Sequence, residues 1–374
     1  MSDFDAIVVG IGSMGSSTLY HLAQRRKKVL GIEQFGIPHE LGSYHGESRI
    51  IRLAYYEDPS YVPLLKRAYE LWFLLQNQVK AELLCITGSL DIDRIDGSVF
   101  KGSLTSCLTH NIVHEVLDAK EISSRFPGYE LPSDYYGLYQ PDGGFLFPEK
   151  CVEAYKNMAI MMGADVKVNE RVKSWKSERG KVIVTTDKDV YRADKIVFTS
   201  GAWTQNLLSD TSEILNVERQ VVGWFTPEND NVFKPELFPV FNAKFEEGRY
   251  YGFPITGTPG FKVGRYHHLG QIVDPDFEKS EITVEDELIL RSAVSNYFPK
   301  ANGDVISLKS CMFTNTSDEH FILDRVPGYG NVFLAAGFSG HGFKFSSVVG
   351  EIMADLVTYG KTKHDINMFR VDRF

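Results

Sequence analysis

The chain has 374 residues, a formal net charge of −9 and an ordinary share of charged residues at 24%. With no long basic run, this excludes nucleic acid as a main partner, and no apolar run reaches the length of a membrane span. The strand pattern starts so close to the first residue that no signal peptide fits, and Val371-Asp372-Arg373-Phe374 is not a peroxisomal address.

Four scattered cysteines, Cys85, Cys107, Cys151 and Cys311, form no CxxC pair. That excludes a zinc ribbon, argues against a disulfide framework and makes a reducing cytoplasm the simplest home. Aromatic content is 13%, which suits either aromatic-lined pockets or a dense core.

Residues 4–9 form a short apolar, β-branched run that predicts a buried strand. Gly10-Ile11-Gly12-Ser13-Met14-Gly15 follows, then a helical pattern over 16–26 with Leu19, Leu22 and Ala23 on one face. A second strand over 28–32 ends at Glu33. This order of strand, glycine turn, helix, strand and acid is what a dinucleotide site requires. Gly10 permits the tight turn, Gly12 lets backbone approach a pyrophosphate, and Gly15 lets the helix pack close to the sheet. The helix N-terminus favours phosphate. Glu33 is placed for a ribose and disfavours a ribose phosphate, hence NADP; it does not separate FAD from NAD.

The stretch Tyr44-His45-Gly46-Glu47-Ser48-Arg49-Ile50-Ile51-Arg52 interleaves cations with isoleucines. A solvated loop and a cationic site beside the cofactor are both open readings. Residues 61–76 predict an amphipathic helix with Leu64, Leu65, Ala68, Leu71 and Leu75 inward. Residues 85–93 predict a strand pair, 118–126 a short helix, and 135–139 and 144–146 strands around a Pro-Asp-Gly-Gly turn. A helix over 148–162 and strands over 165–168, 182–186 and 195–199 follow. The last runs into Ser200-Gly201-Ala202-Trp203, a second place where backbone can meet a dinucleotide.

From 217 to 270 the pattern becomes strand-like and aromatic, as in an antiparallel sheet. Thr283 predicts an N-cap for a helix over 284–297, with Leu288, Leu290 and Val294 as inward candidates. A strand begins at 309. Another covers 331–336 and ends in Gly337-Phe338-Ser339-Gly340-His341-Gly342, before a helix over 345–356. These glycines would let backbone N–H groups face a ligand.

Lys262 lies in a strand between Phe261 and Val263. Exposure on the outer face of the sheet is its simpler reading. Cys311, before Met312-Phe313, reads on composition as a small core residue. No Ser-His-Asp order, HExxH or Walker loop supports hydrolase or kinase chemistry.

Dinucleotide features therefore lie at both ends of the chain and near residue 200, with antiparallel features between them. The expectation is an α/β fold: a Rossmann-like domain from 1–84, 145–216 and 314–374, interleaved with an antiparallel-sheet substrate domain from 85–144 and 217–313.

Together the glycine turn, the 44–52 stretch, Tyr250-Tyr251-Gly252-Phe253-Pro254, Cys311 with Asp318-Glu319-His320-Phe321, and residues 337–345 resemble the family of monomeric sarcosine oxidase and N-methyl-tryptophan oxidase. The resemblance spans essentially the whole chain. It implies FAD held by a thioether to Cys311, which overturns the compositional reading of that residue. It also implies oxidation of a small-molecule secondary amine by O2, with release of formaldehyde and H2O2, by a monomer.

By resemblance, Arg52 and Lys344 grip the substrate carboxylate. His45 and Arg49 lie by the flavin ring, Tyr251 and His267 on the amine side, and Lys262 activates oxygen. Gly340 and Gly342 join Gly10, Gly12, Gly15 and Glu33 in holding the cofactor. Two departures bear on substrate identity. Phe313 replaces the family's tyrosine, and residues 264–268 are one longer than usual, so His267 or His268 could match the family histidine; His267 follows a tyrosine and is preferred. Asn242 is expected to border the substrate entrance. Other amines on the same fold, such as N-methyl-tryptophan or a cyclic imino acid, and a flavoprotein without amine turnover, are the alternatives.

Overall fold

The computed structural model describes residues 3–211, 213–277 and 281–374. Its first sheet is built on five parallel strands in the order Val332–Ala336, Val190–Phe198, Asp3–Val9, Val29–Ile32 and Asp165–Lys167. Antiparallel strands extend it: Lys181–Thr186 and Val172–Glu178 on one side and Ile322–Arg325 beside Val332–Ala336. The core parallel strands are nearly all buried, as strands covered on both faces must be. Helices Ser13–Gln24, Pro148–Met161 and Ser346–Tyr359 cover one face, where Leu19, Leu22, Val349 and Ile352 pack together.

The first helix starts at Ser13, three residues before the pattern suggests. Gly15 therefore lies inside its first turn, and a Cβ there would come 1.9 Å from the Gly10 carbonyl oxygen. Only glycine permits that approach, so the close-packing role expected of Gly15 has a direct steric cause.

The second sheet has the order Val305–Thr316, Leu215–Phe225, Phe261–Arg265, Gly248–Phe253, Val240–Phe245, Ser89–Arg94, Tyr135–Gln140 and Glu115–Asp118. It is antiparallel except where Val240–Phe245 meets Ser89–Arg94, which run parallel. That junction joins the two separated stretches of sequence, so no hairpin dictates its direction. The expected strand pair at 85–93 is not a pair. Leu84–Ile86 belongs to a small third sheet with Gly144–Leu146 and Arg49–Ile51, while Ser89–Arg94 enters the large one.

Helix Val284–Tyr297 begins at Thr283, whose side chain accepts from the Asp286 N–H while the Asp286 carboxylate accepts from Thr283 N–H, a reciprocal cap. Leu290 and Val294 are buried as expected, but Leu288 is 58% exposed. The inward stripe of this helix runs through 286, 290, 293 and 294, and Leu288 falls about 160° from Leu290 on a 100° per residue wheel. The helix packs on an aromatic layer. Phe245 stacks on Tyr297 at 3.7 Å, Tyr129 on Phe238 at 4.4 Å and Phe241 on Phe298 at 4.7 Å. Much of the aromatic content is thus dense core beneath the second sheet.

Helix Ser98–His110 and strand Val172–Glu178 carry no clear periodic signal, whereas strand Val240–Phe245 falls in the strand-like stretch 217–270. The helix is rich in Ser and Thr, and is placed by Asp93, whose carboxylate accepts from Val99 N–H at 3.0 Å. All four cysteines are free, and among the described residues no helix is long and apolar enough to cross a membrane.

Candidate active site

The parallel strands end together, and their following loops surround a cavity of about 420 Å³. Gly10 and Gly12, Glu33, Ser200-Gly201, and Gly340 and Gly342 line it. This is the crevice at the carboxyl ends of the strands where open α/β sheets take ligands. Gly10 adopts φ +88°, and a Cβ there would come 2.7 Å from the Thr199 carbonyl oxygen, so the turn and the Thr199-Ser200 loop fit only with glycine. No side chain among the described residues caps the helix that starts at Ser13. Its first-turn donors suit a pyrophosphate.

The Glu33 carboxylate is buried and accepts from the N–H of Ile11 at 2.8 Å and of Phe35 at 3.1 Å. It thus braces the glycine turn as well as facing the cavity. Burial pushes its pKa up, against the pull of these N–H groups.

At the far end the cavity reaches Arg49 and Met312-Phe313. Residues 43–49 form a pinned loop. Glu149 accepts from Gly46 and Glu47 N–H at 2.7 and 3.1 Å, and Glu47 grips Thr258 N–H at 3.0 Å. Gly46 and Glu47 both have positive φ, +101° and +71°. The solvated-loop reading of this stretch therefore fails. Arg49 is held by the carbonyls of Ser43, His45 and Ser48 at 2.6 to 2.8 Å. His45 is buried, and neither ring nitrogen has a hydrogen-bond partner among the described residues. Burial, aided by Arg49, lowers its pKa to about 4, so the ring is neutral near pH 7 and Arg49 carries the local charge.

Lys262 corrects the outer-face expectation. It is 2% exposed, and its Nζ donates to the carbonyls of Gly46 and Ser48 and to Ser48 Oγ at 2.5, 3.1 and 2.9 Å. Phe253 and Trp224 rings lie 4.4 and 5.4 Å away. Burial first, and Arg49 second, push its pKa well down. A Cβ on Gly46 would sit 3.8 Å from Arg49 Nη1 and 3.9 Å from Lys262 Nζ, so both cations flank one glycine. Cys311 is buried near them. Burial raises its thiol pKa, while Arg49 and Lys262 draw it down. The next three residues, Met312 to Thr314, line the cavity.

A second cationic group lies around Tyr55. Arg52 is buried and pairs with Glu57 at 3.1 Å and Asp91 at 3.6 Å, with its guanidinium 4.7 Å from the Tyr55 ring centre. Lys344 donates to the His341 carbonyl at 2.7 Å and lies 5.3 Å from the same ring. Burial, then Arg52, lower its pKa to about 7. Tyr251 is half-buried and faces Tyr266 at 5.2 Å. Its hydroxyl pKa is raised, chiefly by burial.

His267 is exposed and bridges Glu218 at 2.7 Å and Glu319 at 3.0 Å, which raise its pKa to about 9. His268 turns the other way, onto Asp286 at 2.9 Å. In the loop after Ala336, Gly337, Ser339 and Gly340 have positive φ. The N–H groups of Ser339 and His341 are spent on Thr314 and Phe338 carbonyls, so fewer donors face the cavity than the glycine spacing implies.

Asp91, Glu57 and Arg249 escaped the sequence reading. Asp91 sits in Ser-Leu-Asp-Ile-Asp-Arg, where alternation suggests a solvent face, yet five of these six residues are buried. Asn242 donates to Asp91 at 3.0 Å, so it joins this network.

These features fit FAD. The glycine turn, the bracing acid and the cavity suit its dinucleotide end, while orphaned His45 and the neighbouring Arg49 and Lys262, held by carbonyls and a hydroxyl, suit a ring that gains negative charge. The fold and the site thus define a dinucleotide-dependent oxidoreductase. Residues 5–356 match the model of the FAD dependent oxidoreductase family, DAO. The chain is 42% identical to monomeric sarcosine oxidase of Bacillus sp. (strain NS-129), over 99% of this chain and 97% of that one. It is 31% identical to N-methyl-L-tryptophan oxidase of Citrobacter koseri, over 99% of both. The open form of NikD, an unusual amino acid oxidase of nikkomycin biosynthesis, superimposes with a TM-score of 0.86 at 24% identity, over 99% of this chain and 98% of that one. The chain belongs to the FAD-dependent oxidoreductase family, among the amine oxidases that include monomeric sarcosine oxidase and N-methyl-L-tryptophan oxidase.

Proposed function

We propose that the protein oxidatively demethylates small N-methyl amino acids of the sarcosine kind, giving the amino acid, formaldehyde and H2O2. What supports this reading is the pairing of a full-length likeness to sarcosine oxidases with two separate cationic groups, Arg49 and Lys262 at one end and Arg52 and Lys344 around Tyr55. FAD, when bound, supplies the two-electron acceptor for the amine C–H and returns the electrons to O2. Residues 1–84, 145–216 and 314–374 hold it through Gly10, Gly12, Gly15, Glu33, Gly340 and Gly342, and Cys311 tethers it by a thioether. Residues 85–144 and 217–313 present the substrate.

Arg52 and Lys344 orient the substrate carboxylate, which fixes the N-methyl group in one place. The family likeness puts Tyr251 and His267 on the amine side, where they favour the neutral amine that loss of hydride requires. Arg49 and His45 position the ring and favour its reduced charge. Lys262 supplies positive charge where oxygen becomes negative. A monomer in a reducing cytoplasm fits the free cysteines.

Anaerobic addition of sarcosine, N-methyl-tryptophan and proline, followed at the flavin absorbance, tests the reading. Sarcosine should bleach the band fastest. Bleaching by proline or N-methyl-tryptophan alone moves the enzyme to another amine, and no bleaching by any of them defeats amine turnover.

Lys344 gives a pH signature. Its pKa of about 7 means that it is charged below that pH and neutral above it. Carboxylate binding should be strongest below about pH 7 and weaken up to about tenfold per unit above it. The check is titration of acetate against the flavin spectrum from about pH 6 to about pH 9. A flat profile removes the Lys344 charge from carboxylate binding.

A further inference from the structure

Strand Gly248–Phe253 presents Arg249, Tyr251 and Phe253 to one side. Phe253 touches Lys262 on that side, so the strand faces the site along its length. The Arg249 guanidinium lies 3.4 Å from the Tyr266 ring centre and 5.1 Å from that of Tyr56. Arg52 lies over the same Tyr56 ring at 5.4 Å. Arg249 therefore stands across a tyrosine from the proposed carboxylate grip.

Its bonding differs from that of Arg52. Among the described residues, Arg249 makes no ion pair, and its Nε is out of solvent without a hydrogen-bond partner. Burial disfavours its charge and the nearby Arg52 adds to that, while Tyr266, through its charge and a side-chain hydrogen bond, and Glu319 oppose it. The Glu319 carboxylate is already spent on His267 at 3.0 Å. Arg52, by contrast, already holds Glu57 and Asp91.

A guanidinium cannot shed its proton near neutral pH, so Arg249, half-buried with its Nε out of solvent and no carboxylate partner among the described residues, is stabilised when a ligand brings an anion. Tyr266 covers its face, and no carboxylate among the described residues meets the edge of its N–H fork. That fork matches a carboxylate in two-point contact.

We propose that Arg249 is a substrate-carboxylate-binding residue, joining Lys344 and Arg52 as the cation whose fork no protein carboxylate occupies. The inference rests on the proposed N-methyl amino acid reading and specifies how the acid group of that substrate is seated.

The test is titration of the flavin-loaded protein with propionate, propionamide and succinate, read as perturbation of the flavin band in the wild type, Arg249→Gln and Arg249→Lys. Retained flavin content verifies folding. Loss of a charge-assisted pair predicts that Arg249→Gln weakens propionate about 10- to 100-fold and propionamide little, with Arg249→Lys recovering part of the loss. Unchanged propionate affinity overturns the proposal. So does equal weakening of propionate and propionamide, which would mark a packing role. Weakening of succinate alone also overturns it, because Arg249 would then read a second anionic group. Propionate binding needs no turnover. If no amine bleaches the wild type while Arg249→Gln still loses propionate, the N-methyl amino acid reading fails and the carboxylate assignment stands.

Discussion

Lys262→Met is expected to slow reoxidation by O2 about 10²- to 10³-fold, the range for removing one preorganised charge-stabilising group. Reduction by substrate under argon should change far less. Methionine keeps much of the volume between Phe253 and Trp224 but cannot donate to Gly46, Ser48 and the Ser48 hydroxyl. Leaving those acceptors unmet costs about 1–3 kcal/mol each at most, so some loss of stability should accompany the kinetic effect. Because burial and Arg49 push the Lys262 pKa down, the charged form is favoured at low pH. Reoxidation of the wild type should therefore decline as pH rises. Stopped-flow measurement of the two half-reactions separates the roles. Equal slowing of both would show that Lys262 shapes the site without acting on oxygen.

Cys311→Ala is expected to abolish covalent retention of flavin. Wild-type protein precipitated with acid should give a yellow pellet and a chain mass raised by one FAD. The variant should give a colourless pellet and the bare chain mass. If Cys311 holds FAD by a thioether, making the C–S bond would break the thiol S–H and one C–H of the flavin, and the two electrons and two protons released would leave with O2 as H2O2. The thiol must lose its proton on the way. Burial opposes this, while Arg49 and Lys262 promote it. Flavin that washes out of the wild type, or stays bound to the variant after denaturation, would remove Cys311 from this role.

The two experiments bear on residues that sequence treats very differently. Lys262 looks like an outward lysine because strand alternation is silent about which face is covered. Here the 43–49 loop folds over that face and supplies the oxygens that make a buried ammonium tolerable. Cys311 reads as core on composition and is core by burial; only the family resemblance assigned it chemistry. Arg52 was legible as a cation in an unusual stretch, but its two carboxylate partners were not. Glu57 lies five residues away, whereas Asp91 comes from a strand of the other sheet.

Local rules carried the nucleotide end of the molecule. The glycine turn, the following helix and Glu33 fall within about thirty residues of one strand–turn–helix–strand unit, whose order is readable along the chain. The amine end was decided by tertiary structure. Arg249, Asp91, His267 and Lys344 come from distant segments, and their charge states follow from burial and from neighbours that no local pattern encodes. Sequence determined where a dinucleotide can lie. The packing of two sheets decided which cations are left unpaired beside it, because the cost of a buried charge depends on what surrounds it in space.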